Sequence, residues 1–256
     1  MRLYPLFSSS KGNCYYLGSK TAGVLIDAGG STKRIVAALS SAGIPLTAVK
    51  AIFVTHEHSD HVGALPVLLK RINVPVFGTP GTVSMLSRGL SGADLHSFSE
   101  RVSVYDIKAE AAVLKTSHDS AEPCGFRFDF SESSVSFLTD SGFVTDGFEG
   151  AISSETVVLE SNYDPTMLSR GSYPPHTKAR IAGRFGHLSN AASAAFAREL
   201  VGSGTKNLIL AHLSENNNTP ELAKSALWAE TAGFTEGKDY FVKILPPVHD
   251  NWFCAV

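Results

Sequence analysis

Short apolar runs, separated by polar and glycine-rich punctuation, recur along most of the chain. The runs at 2–7, 13–17 and 23–27 have the length and content of β-strands, and Ala28-Gly29-Gly30 closes the third. Over 31–42, Ile35, Val36 and Leu39 fall at helical spacing, with Gly43 as a stop. A near-continuous apolar strand at 49–55 feeds into His56, and Val62, Leu65, Leu68 and Leu69 then fit one face of a helix over 61–71. The pattern predicts further strands at 112–117, 124–130, 134–139, 156–160 and 206–211, and helices at 79–89, 189–201 and 219–232. The early half reads as a β-meander and the later half mixes strands with helices. Two packed β-layers with helices outside are the expected α/β architecture. Without repeats or a long linker, one domain over 1–256 is expected.

Composition narrows the class. A 43% hydrophobic content excludes disorder as the main state, and 256 residues suffice for a sizeable core. Lys and Arg number 22 against 24 acidic residues, so a uniformly basic coat is excluded while a local cationic patch is not. No apolar run approaches the ~20 residues that span a bilayer, and the N-terminus lacks a leader pattern, so a soluble cytoplasmic protein is expected. Cys14, Cys124 and Cys254 are far apart and form no CxxC pair; buried hydrophobes in a reducing compartment are the expectation.

The chemistry concentrates in Thr55-His56-Glu57-His58-Ser59-Asp60-His61. Three imidazoles and two carboxylates follow directly on a buried strand, a donor set suited to Zn²⁺, Mn²⁺ or Fe²⁺. His118, Asp140 and His212 each emerge where a later apolar strand ends, as a scaffold presents functional groups on adjacent loops. A second feature is charge. From 165 to 198 there is no Asp or Glu, but there are Arg170, Lys178, Arg180, Arg184 and Arg198, a candidate anion-binding face with Tyr173 placed to stack on a base or sugar. Ser189 or Asn190 is a candidate N-cap whose neighbouring N–H groups suit phosphate. His187 is a candidate proton donor or phosphate ligand. His96 and His249 read as structural, and His176 has no defined role. Ser8, Ser9, Ser10 and Asn13 form a polar loop that either faces a cleft or serves the turn.

His56-x-His58-x-Asp60-His61, followed by His118, Asp140 and His212, resembles the full ligand series of the metallo-β-lactamase superfamily. The resemblance implies a four-layer αββα sandwich with a dinuclear site. It puts His56, His58 and His118 on one metal and Asp60, His61 and His212 on the other, with Asp140 bridging. A metal-bridged hydroxide would be the nucleophile, oriented by Asp60, with His187 assisting the leaving group. Asp27 resembles a position that supports the metal loop through hydrogen bonds. The Asp at 140 points away from β-lactamases, and the stretch from Asp140 to His212 is too short for the extra domain of the RNA-processing nucleases. The strings 7–16, 160–164, 186–190 and 211–217 are similar to those of the bacterial WalJ (YycJ) group, described as DNA exonucleases that degrade a duplex from a 5′ end. Tyr163 departs from the His common there. The resemblance thus implies DNA as substrate and two divalent ions; the charge pattern and the helix start make Arg170, Lys178, Arg180, Arg184, Ser189 and Asn190 the candidate substrate contacts, and no membrane contact is expected; no protein partner is indicated. Two alternatives stand beside it: a small-molecule thioesterase, lactonase or cyclic phosphodiesterase, and a metal-containing DNA-binding protein with little turnover.

Overall fold

The computed structural model describes residues 1–246; His249 and Cys254 lie outside the described residues. The described residues gather into two compact units, Met1–Val113 with Ser120–Pro123, and Leu114–Asp119 with residues 124–246.

In the first unit, β1 (Arg2–Ser9), β2 (Gly12–Gly18) and β3 (Gly23–Ile26) form an antiparallel meander. Its β1–β2 register slips between Pro5 and Phe7, where proline has no N–H to give the ladder. The meander ends at β3. After α1 (Thr32–Ser41), strand β4 (Val49–Phe53) pairs with β3 in parallel. Parallel strands need crossovers, and helices supply them. Ser31 caps α1, its Oγ accepting from Arg34 N at 3.3 Å, and the helix buries Ile35, Ala38 and Leu39. The helix expected over 61–71 is broken into α2 (Ser59–Val62) and α3 (Leu65–Leu68). Gly63 closes the first piece, and Pro66 suits only the first turn of the second. Beyond them β5 (Val76–Gly78), α4 (Pro80–Ser87) and β6 (Leu95–Ser97) extend the parallel part of the sheet, with strand order β1-β2-β3-β4-β5-β6. β7 (Arg101–Val104) pairs antiparallel with β8 (Ala109–Lys115), within which the chain passes into the second unit.

The second unit runs β9 (Cys124–Asp129), β10 (Ser134–Leu138), β11 (Thr156–Glu160), α5 (Pro165–Arg170), α6 (Pro175–Ile181), α7 (Asn190–Gly202), β12 (Asn207–Ala211), α8 (Pro220–Glu230) and β13 (Phe241–Ile244). β9 and β10 are antiparallel, while β10, β11, β12 and β13 are parallel neighbours in that order. The central strands β11 and β12 carry unbroken apolar runs, Val157-Val158-Leu159 and Leu208-Ile209-Leu210, as burial on both faces demands. Phe196, Leu200 and Val201 of α7 join Leu138, Leu159 and Leu210 in one core. Each buried side chain of this size stabilises by roughly 1.5–3 kcal/mol, against about 1 kcal/mol for a cap. Packing therefore holds α7, and its N-cap only fixes where it starts. Cys14 and Cys124 are buried thiols, as expected. Among the described residues no helix is long and apolar enough to cross a membrane.

Candidate metal centre

Each unit builds its polar cluster at the carboxyl ends of its parallel strands. In the first, β3 runs into Asp27, whose backbone turns to φ 58° while its N–H donates to Phe53 O at 2.8 Å. The left-handed turn aims the carboxylate at the chain leaving β4. Asp27 Oδ1 accepts from Thr55 N at 2.8 Å, Thr55 Oγ1 donates to Oδ2 at 2.9 Å, and His61 Nδ1 lies 2.7 Å from Oδ2. Burial raises the Asp27 pKa, and the His61 and Thr55 contacts oppose that rise. The support expected of Asp27 is thus met with a distance. His56 Nδ1 is 3.0 Å from Thr55 Oγ1, which joins that imidazole to the same carboxylate. On the far side of His61, Asn13 Nδ2 is 3.0 Å from Nε2 and donates to Asp60 Oδ2 at 3.3 Å. The His56 ring centroid lies 4.6 Å from that of His58 and 4.1 Å from that of His61. Asn13, in β2, therefore touches the His loop, whereas Ser8 turns to Tyr15, accepting its hydroxyl at 2.8 Å.

In the second unit the same device recurs. Asp140, just past β10, has φ 59°, and His212, directly after β12, has φ 58°. Glu160 ends β11 between them in strand order, with 0% exposure. Four donors converge on it. His187 Nδ1 and His212 Nδ1 each lie 2.8 Å from Oε1, while Ser141 N and Leu188 N donate to Oε2 at 3.0 and 3.1 Å. Burial alone would raise its pKa, but the two imidazoles outweigh burial and hold it well below the carboxylate range. His118 Nδ1 donates to Gly186 O at 3.0 Å; burial lowers its pKa, opposed by nearby Asp140. Ligand-type atoms of Asp140, Glu160, His187 and His212 all lie within 4.8 Å of one another. Glu160→Gln keeps the shape but leaves one oxygen for four donors. It is expected to cost about 2 kcal/mol of stability, read by urea denaturation, and an unchanged midpoint would refute the convergence.

Sequence reasoning singled out the metal-ligand candidates but missed Glu160 as a functional residue. The signal was present: Glu160 ends an apolar strand as Asp140 and His212 do. The substrate-contact candidates divide. Arg170 is exposed at the end of α5, Lys178 donates to Ser169 O at 2.8 Å, and Arg180 grips Asp119 through Nε and Nη2 at 2.7 and 3.0 Å. The Arg184 guanidinium lies 4.7 Å from the Phe143 ring centroid. Ser189 is the N-cap of α7, its Oγ accepting from Ala192 N at 3.2 Å. Asn190 is buried, its Oδ1 accepting from Ser161 Oγ at 2.7 Å and its Nδ2 donating to Asn218 Oδ1 at 2.8 Å. Tyr173 accepts from Asn216 Nδ2 at 2.7 Å, and the exposed His96 pairs with Asp94 at 2.8 Å.

The donors fit divalent metal. In His61, His118, His187 and His212 the Nδ1 is held by a carboxylate or a carbonyl, which fixes the tautomer and, in His118 and His212, leaves Nε2 for a ligand role. Buried carboxylates stand beside them, and imidazole with carboxylate is a Zn²⁺, Mn²⁺ or Fe²⁺ set.

Known proteins agree with this chemistry. Residues 10–149 match the family model of the metallo-beta-lactamase superfamily. Exodeoxyribonuclease YycJ of Bacillus anthracis is 33% identical over 250 residues, 94% of each chain. Exodeoxyribonuclease WalJ of Streptococcus pneumoniae is 33% identical over 226 residues, 85% of this chain and 83% of that one. The metallo-beta-lactamase fold protein YhfI from Bacillus subtilis superposes with a TM-score of 0.72 at 14% identity, covering 96% of this chain and 97% of that one. Zn(2+)-bound PqqB from Methylobacterium extorquens does so with the same score at 12% identity, over the whole of both chains. Those two likenesses show the fold, which is of the αββα class expected from the ligand series. The chain belongs to the metallo-β-lactamase superfamily of metal-dependent hydrolases and, within it, to the group of YycJ and WalJ.

Proposed function

We propose that the protein is a nuclease that shortens double-stranded DNA from its 5′ end with two divalent ions. The observation that carries this reading is the likeness over 94% of both chains to an exodeoxyribonuclease. The anchored imidazoles support its chemistry. In this reading His56, His58 and His118 hold one ion, Asp60, His61 and His212 the other, and Asp140 serves both. Two ions would supply a water acidified toward neutral pH and would neutralise charge on the phosphate. The protein's own groups do the rest. Asp27 and Glu160 keep Nδ1 protonated on His61 and His212; on His212 this leaves Nε2 for the ion, while on His61 the Asn13 amide, 3.0 Å from Nε2, must give way to it. His187, held by Glu160 and only 14% exposed, keeps one orientation from which its Nε2–H can meet the leaving oxygen when the ring is protonated. Arg170, Lys178 and Arg184 provide charge for the DNA backbone, while Arg180 is engaged with Asp119.

The test uses an end-labelled, 5′-phosphorylated linear duplex and protein reloaded separately with Mn²⁺ or Zn²⁺. Stepwise shortening from the 5′ end is expected with two ions per chain by elemental analysis. Binding should weaken with salt at a log–log slope of roughly −3, if three cations each neutralise a phosphate. No cleavage by the fully loaded protein, together with salt-independent binding, would instead indicate a small ester or thioester substrate.

A further inference from the structure

The loops that carry Asp140 and His187 each continue into an apolar side chain that the fold leaves in solvent. Phe185 is 57% exposed and Val144 is 38% exposed. A lone exposed Phe is ordinary. Phe185 differs in how firmly its backbone is held. Gly186 N donates to Gly183 O and His187 N to Ile181 O, both at 2.9 Å. Arg184 O accepts from Ser117 Oγ at 3.0 Å, and Gly186 O accepts from His118 Nδ1 at 3.0 Å. A Cβ on Gly186 would overlap Ile181 O, so this turn tolerates no side chain there.

The second loop is locked to the first. Gly142 N donates to Ser117 O at 2.8 Å, and a Cβ on Gly142 would run into Arg184 O. Phe143 then lies under the Arg184 guanidinium, 4.7 Å from centroid to Cζ, a cation–π contact that spreads the planar cation over the ring. The Asp119 carboxylate is engaged by Arg180. The result is an exposed aromatic side chain on firmly held backbone, two residues from His187 and next in sequence to a guanidinium laid over a second ring, and Arg184 and Phe185 themselves fall in a stretch with no acidic side chain from 165 to 198. Flat, apolar and cationic chemistry together match a nucleobase with its phosphate attached.

We propose that Phe185 is a stacking platform for the terminal nucleobase of the strand being shortened, with Arg184 and Phe143 forming its cationic rim. The proposal rests on the nuclease reading and adds the base as a recognised group. Because the platform sits on backbone already held in place, stacking orders little of the protein.

Three measurements test it. On a duplex with a normal 5′-terminal nucleotide, Phe185→Ala is expected to raise KM about tenfold, and Phe185→Trp to restore it. On a duplex whose 5′-terminal nucleotide is abasic, wild type and Phe185→Ala should be equal. A duplex with phosphorothioate linkages and 5′-terminal 2-aminopurine should lose fluorescence on binding the metal-loaded wild type, but not Phe185→Ala. Equal KM for wild type and Phe185→Ala on the normal end would overturn the platform. So would an equal loss on the abasic end, since Phe185→Ala would then act by disturbing His187. If wild type shortens no duplex at all, the nuclease reading fails, and the 2-aminopurine signal alone decides whether the platform stacks a base.

Discussion

Asp140→Asn is expected to lower kcat/KM on duplex DNA by about a thousandfold or more while the protein stays folded. The loss has an electrostatic origin: the substitution removes a buried anion from the cluster formed with Glu160, His187 and His212. A thousandfold corresponds to about 4 kcal/mol of transition-state stabilisation, the scale on which metal-assisted phosphate chemistry operates. The choice of Asn matters for the second half of the expectation. Asp140 has φ 59°, and Asn is one of the few residues that adopts the left-handed region readily. A near-wild-type melting curve should therefore accompany the lost turnover. Activity close to wild type would remove Asp140 from the metal set and with it the two-ion reading.

The second large effect is on stability. Gly29 N donates to Asn13 O at 2.8 Å, and a Cβ on Gly29 would fall inside the van der Waals surface of Asp60 O and lie 2.5 Å from Asn13 N. Both obstacles are backbone, so no rotamer change can relieve them. The loop bearing Asp60 and His61 would have to move away from β2, although Ala28 N to His61 O at 2.7 Å and Ala64 N to Ala28 O at 2.9 Å hold it close. Gly29→Ala is expected to cost about 3 kcal/mol, the upper part of the usual overpacking range, and to reduce metal affinity as well. Urea denaturation with a metal titration checks both. Wild-type stability would mean that the loop is looser than its hydrogen bonds imply.

Much of the fold was legible because the buried strands, β4, β11 and β12 above all, read as nearly unbroken apolar runs. Strand ends were then easy to find, and with them His56, His118, Asp140 and His212. Periodicity failed where local backbone chemistry overrode it. Leu65, Leu68 and Leu69 keep helical spacing with Val62, yet Gly63 and Pro66 divide the segment into two short helices. The early half is a meander only as far as β3, because pairing direction is decided by crossovers and not by strand composition. β5 and β6, with three residues each, are too short to announce themselves. Glu160 was overlooked for a different reason. Its role comes from four donors brought together from three loops, and no spacing in the sequence records that convergence. Asn190 shows the reverse: its place beside a helix start suggested phosphate, but Ser161 and Asn218 claim its amide.

The left-handed residues at the strand ends also bear on how such a centre can change over generations. Asp27, Asp140 and His212 all sit near φ 58°, a conformation that costs most side chains about 1–2 kcal/mol and that Asp, Asn and His bear more easily. Exchanging Asp140 for Glu, or His212 for Cys, keeps a metal-binding group yet loads that cost onto the turn delivering it. The backbone thereby filters the chemical alphabet at these positions before metal preference is tested. A lineage on this scaffold would find it easier to alter what lies over the centre, such as the loop from 183 to 187, than to trade one ligand for another.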